Sequence, residues 1–556
     1  MKVRVGVPRV RTVVYGYDVR RDLGALSPIV PDAQVNPKAR FREQRTLFSH
    51  PRVAKVSLGC HVPGAVHPCP DVSRPCNMIE AARGRFCHVV PPVSPFVLQR
   101  FSCFVGDWLR QHFVPLDAPV GSERFRFDEW LSTRSFPQAR KAELQAARDE
   151  YDEEGLHPRD FVCKLFVKDE DLPGGAATAV KYKLPRDINA RPDKFKVFWG
   201  PYCSAAEAYV YSTTSDSAVP HPYFIKHVPV RDRPSKLREW LGGDGSSRYA
   251  CTDHSFFEAH STPEIAAACE LQLYDYLFRN YPEHASIMKS LRQILTGDNI
   301  CAGRGATVTV PGVRMSGDMN TSLGNGFLNL MMMHFVAHDA GCRADGVVEG
   351  DDGIAAISPG LGHVPTALDF KAVGMDVKLE MHGSVEECEF CGIYQAPDGE
   401  HCLVDPVDVL VKFGWSRSTL MRGKDSVLKC LLRAKAFSLA YEAPSCPITR
   451  ALADYALRVT SGATMIFDKH DEWWNQQVLA GATAAIPPCQ ISIADRHAVE
   501  KRFGVSVADQ VSIEQWLNAQ TTLHVLDHPA IVRICASGTF AHAWQTFVAE
   551  ADVTRG

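Results

Sequence analysis

Two carboxylates stand side by side in Gly350-Asp351-Asp352-Gly353, with Val347 and Val348 before them and Ile354 after. Apolar flanks around such a turn predict a β-hairpin with the acids at its tip. Adjacent carboxylates repel, and Gly350 and Gly353 are expected to supply the bend that presents them together. A divalent cation removes that repulsion, and ligands that are all oxygen suit Mg²⁺ or Mn²⁺. Taken alone, an Asp-Gly turn is more commonly a solvated loop. A second stretch, Ser316-Gly317-Asp318-Met319-Asn320-Thr321-Ser322-Leu323-Gly324-Asn325, leads into the apolar run 326–335. That run predicts a helix, with Ser316 or Thr321 as its cap.

The spacing Ser-Gly-x3-Thr-x3-Asn followed by Gly-Asp-Asp resembles motifs B and C of the RNA-dependent RNA polymerases of positive-strand RNA viruses. The tombusvirus and nodavirus neighbourhood is the most similar. Other stretches continue the resemblance in order. Lys181-Tyr182-Lys183-Leu184-Pro185-Arg186-Asp187-Ile188-Asn189-Ala190-Arg191 is basic: residues 181–196 hold six Lys or Arg against two acids. Arg offers a bidentate fork and Lys a mobile charge to phosphate. The segment resembles motif F, which lines the nucleotide tunnel; Lys183 and Arg186 match best, with Arg191 and Lys168 as further NTP contacts. Asp253 ends a strand candidate and Glu258 follows on a turn, resembling motif A, Asp-x4-Asp, with Glu where the family usually has Asp. Residues 370–378 resemble motif D, with Lys378 at the position of the proposed general acid, and 389–394 resemble the motif E hairpin.

The resemblance implies an α+β right-hand polymerase. Its parts are a basic N-terminal extension (1–100), fingers with the basic loop (101–245), a palm with an antiparallel sheet (246–404, with a fingers insertion at about 278–312) and a helical thumb (405–556). It implies that Asp253, Asp351 and Asp352 hold two Mg²⁺ or Mn²⁺ ions about 3.5–4 Å apart. Lys183 and Arg186 would then neutralise the leaving pyrophosphate, and Lys378 would protonate it. Glu258 and Asn325 would read the ribose hydroxyl, with Ser316 and Thr321 in support. The implied partners are RNA template and product, NTPs, and viral or host replication proteins, in the host cytoplasm or at replication membranes reached through those proteins. A reverse transcriptase shares the paired aspartates, and a non-enzymatic RNA-binding scaffold would use the basic segments alone.

The elements that must position these residues are legible in outline. The chain has 556 residues, 45% hydrophobic and 22% charged, with a net charge of −3, a globular composition that leaves room for a local basic channel. Residues 1–60 carry twelve Lys or Arg against four acids, and Lys2–Val7 alternates like an exposed strand. Helices are expected over Ser94 to Phe113, Gln138 to Asp152, from Pro263 onward, Ser426 to Tyr441 and Ile448 to Val459. Eighteen cysteines, mostly in apolar segments, read as reduced thiols. Two groups are metal-capable: Cys60, His61, His67, Cys69, Cys76, Cys87 and His88; and Cys388, Cys391, His401 and Cys402. Structural zinc is the less favoured alternative at both: the first lacks a Cys-x2-Cys frame, and in the second, whose spacing is zinc-like, Cys391 is already accounted for by the motif E resemblance. No apolar run is long enough to span a bilayer.

Overall fold

The computed structural model describes residues 10–22, 30–44, 51–172, 183–243, 247–360, 362–421, 423–465, 486 and 488–552. The alternation at Lys2–Val7 and Lys181 of the basic segment lie outside them.

The paired acids sit on a four-stranded antiparallel sheet. Its strands are β1 (Arg248–His254), β2 (Arg343–Glu349), β3 (Asp352–Ser358) and β4 (Val377–His382), in the order β4-β1-β3-β2. β2 and β3 form the expected hairpin, with Asp352 opposite Glu349. Side chains alternate between faces along a strand, and here both faces are covered. Ala250, Val348, Ala355 and Ile357 pack with the helix α1 (Thr321–Asp339). Tyr249, Cys251, Val347, Ile354 and Ala356 pack on the other side with Ile225, Leu237, Leu241, Val385 and Phe390. α1 is apolar nearly all round, as an interior helix must be: Leu323, Phe327, Leu330, Met331 and Phe335 are all buried. Truncating one of its large side chains, such as Phe327, costs about 3–5 kcal/mol by the usual cavity penalty.

The helix at Ser94 starts as expected. Ser94 accepts a hydrogen bond from the Val97 amide, the helix runs Pro95–His112, and Phe101, Val105, Trp108 and Leu109 face the core. Gln138–Glu154 is the second, with Arg148 buried against the rings of Phe127 and Tyr151. The helix opened by Pro263 is shorter than expected. It breaks at Cys269 into Pro263–Ala268 and Glu270–Phe278, and Glu270 is turned into the core. The expected cap of α1 also differs. Asn320 is the N-cap residue without a side-chain capping bond, and Thr321 lies inside the first turn.

A five-stranded sheet carries the basic segment, in the order Arg40–Glu43, Ala306–Val310, Asn299–Gly303, Cys163–Val167, Asp187–Ala190. Another sheet joins the two ends of the chain: Val10–Tyr15 pairs with both Val548–Asp552 and Val53–Ser57, and Val53–Ser57 pairs with Trp415–Arg417. The expected C-terminal helices are Asp425–Glu442 and Thr449–Val459. They share a core with Leu58, Cys60 and Val62 from near the N-terminus. Among the described residues no helix is long and apolar enough to cross a membrane.

Candidate active site

Gly350 and Asp351 make the turn between β2 and β3, and Gly350 adopts φ +63°, where a side chain would be strained. Gly353 works differently from the expectation: it lies in β3 and does not bend the chain. A Cβ there would stand 2.7 Å from Thr252 Oγ1 and 2.9 Å from Asn329 Nδ2, so glycine permits close approach of β1 and α1. Asn329 uses that approach. Its Nδ2 donates to the Asp351 carbonyl (2.9 Å), and its Oδ1 lies 3.1 Å from His254 Nε2. One amide thus pins the acidic turn to the neighbouring strand.

Register brings the third acid in. Thr252 pairs with Gly353 across β1 and β3, so Asp253 is the next residue toward Asp352; on its other side Asp253 pairs with Lys378. Burial first, then the charges of Asp351 and Asp253, push the Asp352 carboxyl up to about 7. Asp351 keeps solvent access but is crowded by protein atoms, and that desolvation raises its carboxyl. Glu258 adds to the rise, while Arg85 and Arg186 oppose it. Among the described residues no cation is hydrogen-bonded to Asp253, Asp351 or Asp352. Crowded carboxylates without a hydrogen-bonded basic partner are the donor set that a hard divalent cation relieves.

Arg186 and Lys168 are solvent-accessible and converge on Glu170; Lys168 Nζ lies 3.0 Å from Glu170 Oε2, and Arg186 forms a two-pronged pair with the same carboxylate. Lys183 is exposed, and its carbonyl accepts from the Tyr17 hydroxyl at 3.1 Å. Arg191 is not on this surface. Its buried guanidinium is committed to Asp318 (2.9 Å), Asn299 and the Phe161 carbonyl, which locks the loop 316–320 against the five-stranded sheet. The Ser316 carbonyl accepts from the Asn189 amide at 2.7 Å in the same joint. Thr321 turns its hydroxyl back to the carbonyls of Met315 and Asp318, at 3.2 and 2.7 Å.

Glu258 is buried and grips Arg85, with Oε1 2.6 Å from Nε and Oε2 3.3 Å from Nη2. Phe256 adopts a left-handed φ of +57° and places its ring 5.8 Å from the Arg85 guanidinium. Asn325 Oδ1 accepts from Arg314 Nε at 3.0 Å, and Arg314 is itself paired with Glu270 in the core. Asp187 is buried with no hydrogen-bond partner for either carboxylate oxygen among the described residues; burial and the Glu258 charge raise its carboxyl against the pull of Arg85. Lys378 is exposed and paired with Glu380 at 2.5 Å, a bond that raises its pKa.

Arg85, Asp187, Arg314 and Asn329 were not among the residues singled out from sequence. Only Asn329, four residues after Asn325 on the same helix face, carried a signal that spacing offers. The two metal-capable sequence groups are dispersed. His61 bonds Ser57, His67 bonds Asp408, Cys69 faces Asp171 and Cys76 faces Asp18. Cys402 bonds the Glu442 carbonyl, His401 faces Asp398 and Asp495, and Cys391 sits at the tip of the hairpin 389–395, beside Glu349.

Comparison with known proteins shows the family. A family profile described as viral RNA-dependent RNA polymerase matches residues 131–413. The RNA-directed RNA polymerase of Oat chlorotic stunt virus (isolate United Kingdom) is 26% identical over 337 residues, 58% of this chain and 42% of that protein. Those of Melon necrotic spot virus and Tobacco necrosis virus (strain A) are 27% and 24% identical, over 44% and 51% of this chain and 30% and 38% of theirs. The match thus spans less than half the length of these relatives. With the profile covering Arg186, Asp253, the Ser316–Asn325 run and the Gly-Asp-Asp turn alike, the chain belongs to the viral RNA-dependent RNA polymerase family.

Proposed function

We propose that the chain joins NTPs on an RNA template by nucleotidyl transfer and so replicates a viral RNA genome. The observation that carries this reading is the register that sets Asp253 beside the Gly-Asp-Asp turn. In this reading the chain has the right-hand form. Residues 246–404 are the palm, 101–245 and about 278–312 the fingers, 405–556 the thumb and 1–100 an N-terminal extension. The shared sheet of Val10–Tyr15 and Val548–Asp552 then ties the extension to the end of the thumb.

Asp253, Asp351 and Asp352 offer only carboxylate oxygens, which suits two Mg²⁺ or Mn²⁺ ions. Bound there, such ions would supply charge to lower the pKa of an attacking 3′-hydroxyl and to offset the charge of the leaving pyrophosphate. The protein's own groups do the rest. Arg186 and Lys168 exchange Glu170 for the triphosphate, and Lys183 adds a mobile charge beside them. Arg191 acts by holding the 316–320 loop in place. Glu258, oriented by Arg85, and Asn325, oriented by Arg314, face the ribose, with Ser316 and Thr321 shaping the turn between them. Lys378 Nζ holds a proton for the pyrophosphate, shared with Glu380 until that pair opens.

The test is incorporation of labelled NTPs on a primed homopolymer RNA with Mg²⁺, by the wild type and by Asp351→Asn. The amide keeps the shape of the turn and removes a charge, so template-dependent product should vanish while RNA binding persists. Absence of product from the wild type, or full activity in Asp351→Asn, would overturn the assignment.

A further inference from the structure

The carboxylate sheet carries a second group of metal-capable side chains, softer than the first. Cys251 lies two residues before Asp253 on β1, His382 ends β4, and Cys388 stands directly ahead of the hairpin 389–395. A ring nitrogen of His382 and the two Sγ atoms all lie within 4.8 Å of one another, and no other such group of three or more His, Cys, Asp or Glu occurs among the described residues. These are the separations that ligands of one tetrahedral ion can close with small rotamer changes. Cys251 and Cys388 are 8% and 1% exposed, and His382 keeps partial solvent access, which leaves a path for an ion. His382 Nε2 is closed to solvent without a hydrogen-bond partner, its nearest charged neighbour being Glu380 Oε2 at 3.6 Å.

We infer that Cys251, His382 and Cys388 form a zinc site that clasps β1, β4 and the approach to the hairpin 389–395. Two thiolates and an imidazole select zinc over the hard cations of the carboxylate cluster. Glu380 pairs in register with Cys251 and brings Oε2 to 3.6 Å from His382 Nε2, where it offers a carboxylate for the fourth position. Thiols bind zinc as thiolates, so binding releases their protons and weakens as pH falls. The clasp joins β1 and β4, already paired in register, to the segment at Cys388, whose amide and thiol bond Val385 and Ser384. Its position two residues from Asp253 fixes the strand on which the catalytic acid stands.

The full chain, purified under reducing conditions, should carry about one zinc per molecule, the stoichiometry of a single structural site. After stripping and Co²⁺ reconstitution it should show thiolate-to-cobalt charge-transfer absorption. Cys388→Ser should lose most of the zinc and the cobalt band, whereas Cys402→Ser, whose thiol bonds Glu442, should keep both. Zinc added back to stripped wild type should raise its Tm, and should not do so for Cys388→Ser. Absence of the cobalt band in the wild type overturns the site whether or not the variant folds. So does a folded Cys388→Ser that retains zinc, or a Cys251–Cys388 disulfide found in the reduced preparation.

Discussion

Replacing Asp352 by Asn should stabilise the metal-free protein while it removes a carboxylate from the proposed ion-binding cluster. The carboxyl of Asp352 is pushed from the ordinary 3.8 to about 7, chiefly by burial and then by Asp351 and Asp253. In the unfolded chain the same group releases its proton near the ordinary value, so between these two pH values the folded state holds the extra proton. Stability therefore falls as pH rises through this window and stays low above it. About three pKa units correspond to about 4 kcal/mol at pH 8, and roughly half of that at pH 5.5. An amide cannot ionise and escapes the penalty. If the 556-residue chain melts as one unit, 4 kcal/mol is roughly 3–4 °C in Tm, and more if a smaller unit melts alone. The assay is thermal unfolding in EDTA at pH 5.5 and pH 8. Asp352→Asn should melt above wild type, with the wider gap at pH 8. Mg²⁺ should narrow or reverse the gap, because only the wild type keeps the full ligand set. A variant less stable than wild type at pH 8 without metal, or a gap indifferent to pH, would refute the reasoning.

Three further outcomes are expected. Arg186→Ala should lower kcat/KM for all four NTPs by about 10–100-fold, the worth of one charge-assisted contact, and steady-state kinetics would expose the error if nothing changed. Asn325→Ala should lower the ratio of NTP to dNTP incorporation on one RNA template, and unchanged discrimination would remove Asn325 from sugar reading. Gly353→Ala should cost about 1–3 kcal/mol in a denaturant melt and slow incorporation, since neither buried Thr252 nor the pinned Asn329 can yield freely; wild-type stability and rate would show that the contact is slack.

What the sequence makes legible is local. A Gly-Asp-Asp turn between apolar runs is written in adjacent residues, and the hairpin of β2 and β3 follows from it. Ser94 before an apolar stripe states the start of Pro95–His112. The break at Cys269 is not written that way. Its neighbours Ala268 and Glu270 are good helix formers, and local propensity there gives way to the burial of Glu270 against Arg314 and Asn320. The same holds for Gly353, whose function is set by Thr252 and Asn329 and not by its own φ.

The two arginines of the basic segment show why the rest stayed hidden. Arg186 and Arg191 are five residues apart, equally charged, and flank one short strand, Asp187–Ala190. Nothing in their immediate sequence separates a solvent-edge arginine from a buried strut. The difference comes from pairing: Asn189 stands opposite Leu165, and that register turns Arg191 toward Asp318, 127 residues further on, while Arg186 stays at the solvent edge beside Glu170. Glu258 depends likewise on Arg85, 173 residues before it. A buried charge needs a partner wherever the chain can supply one. The sequence announces the charge, but only the folded register names the partner, and the partner decides which of two identical side chains is buried and which stays at the solvent edge.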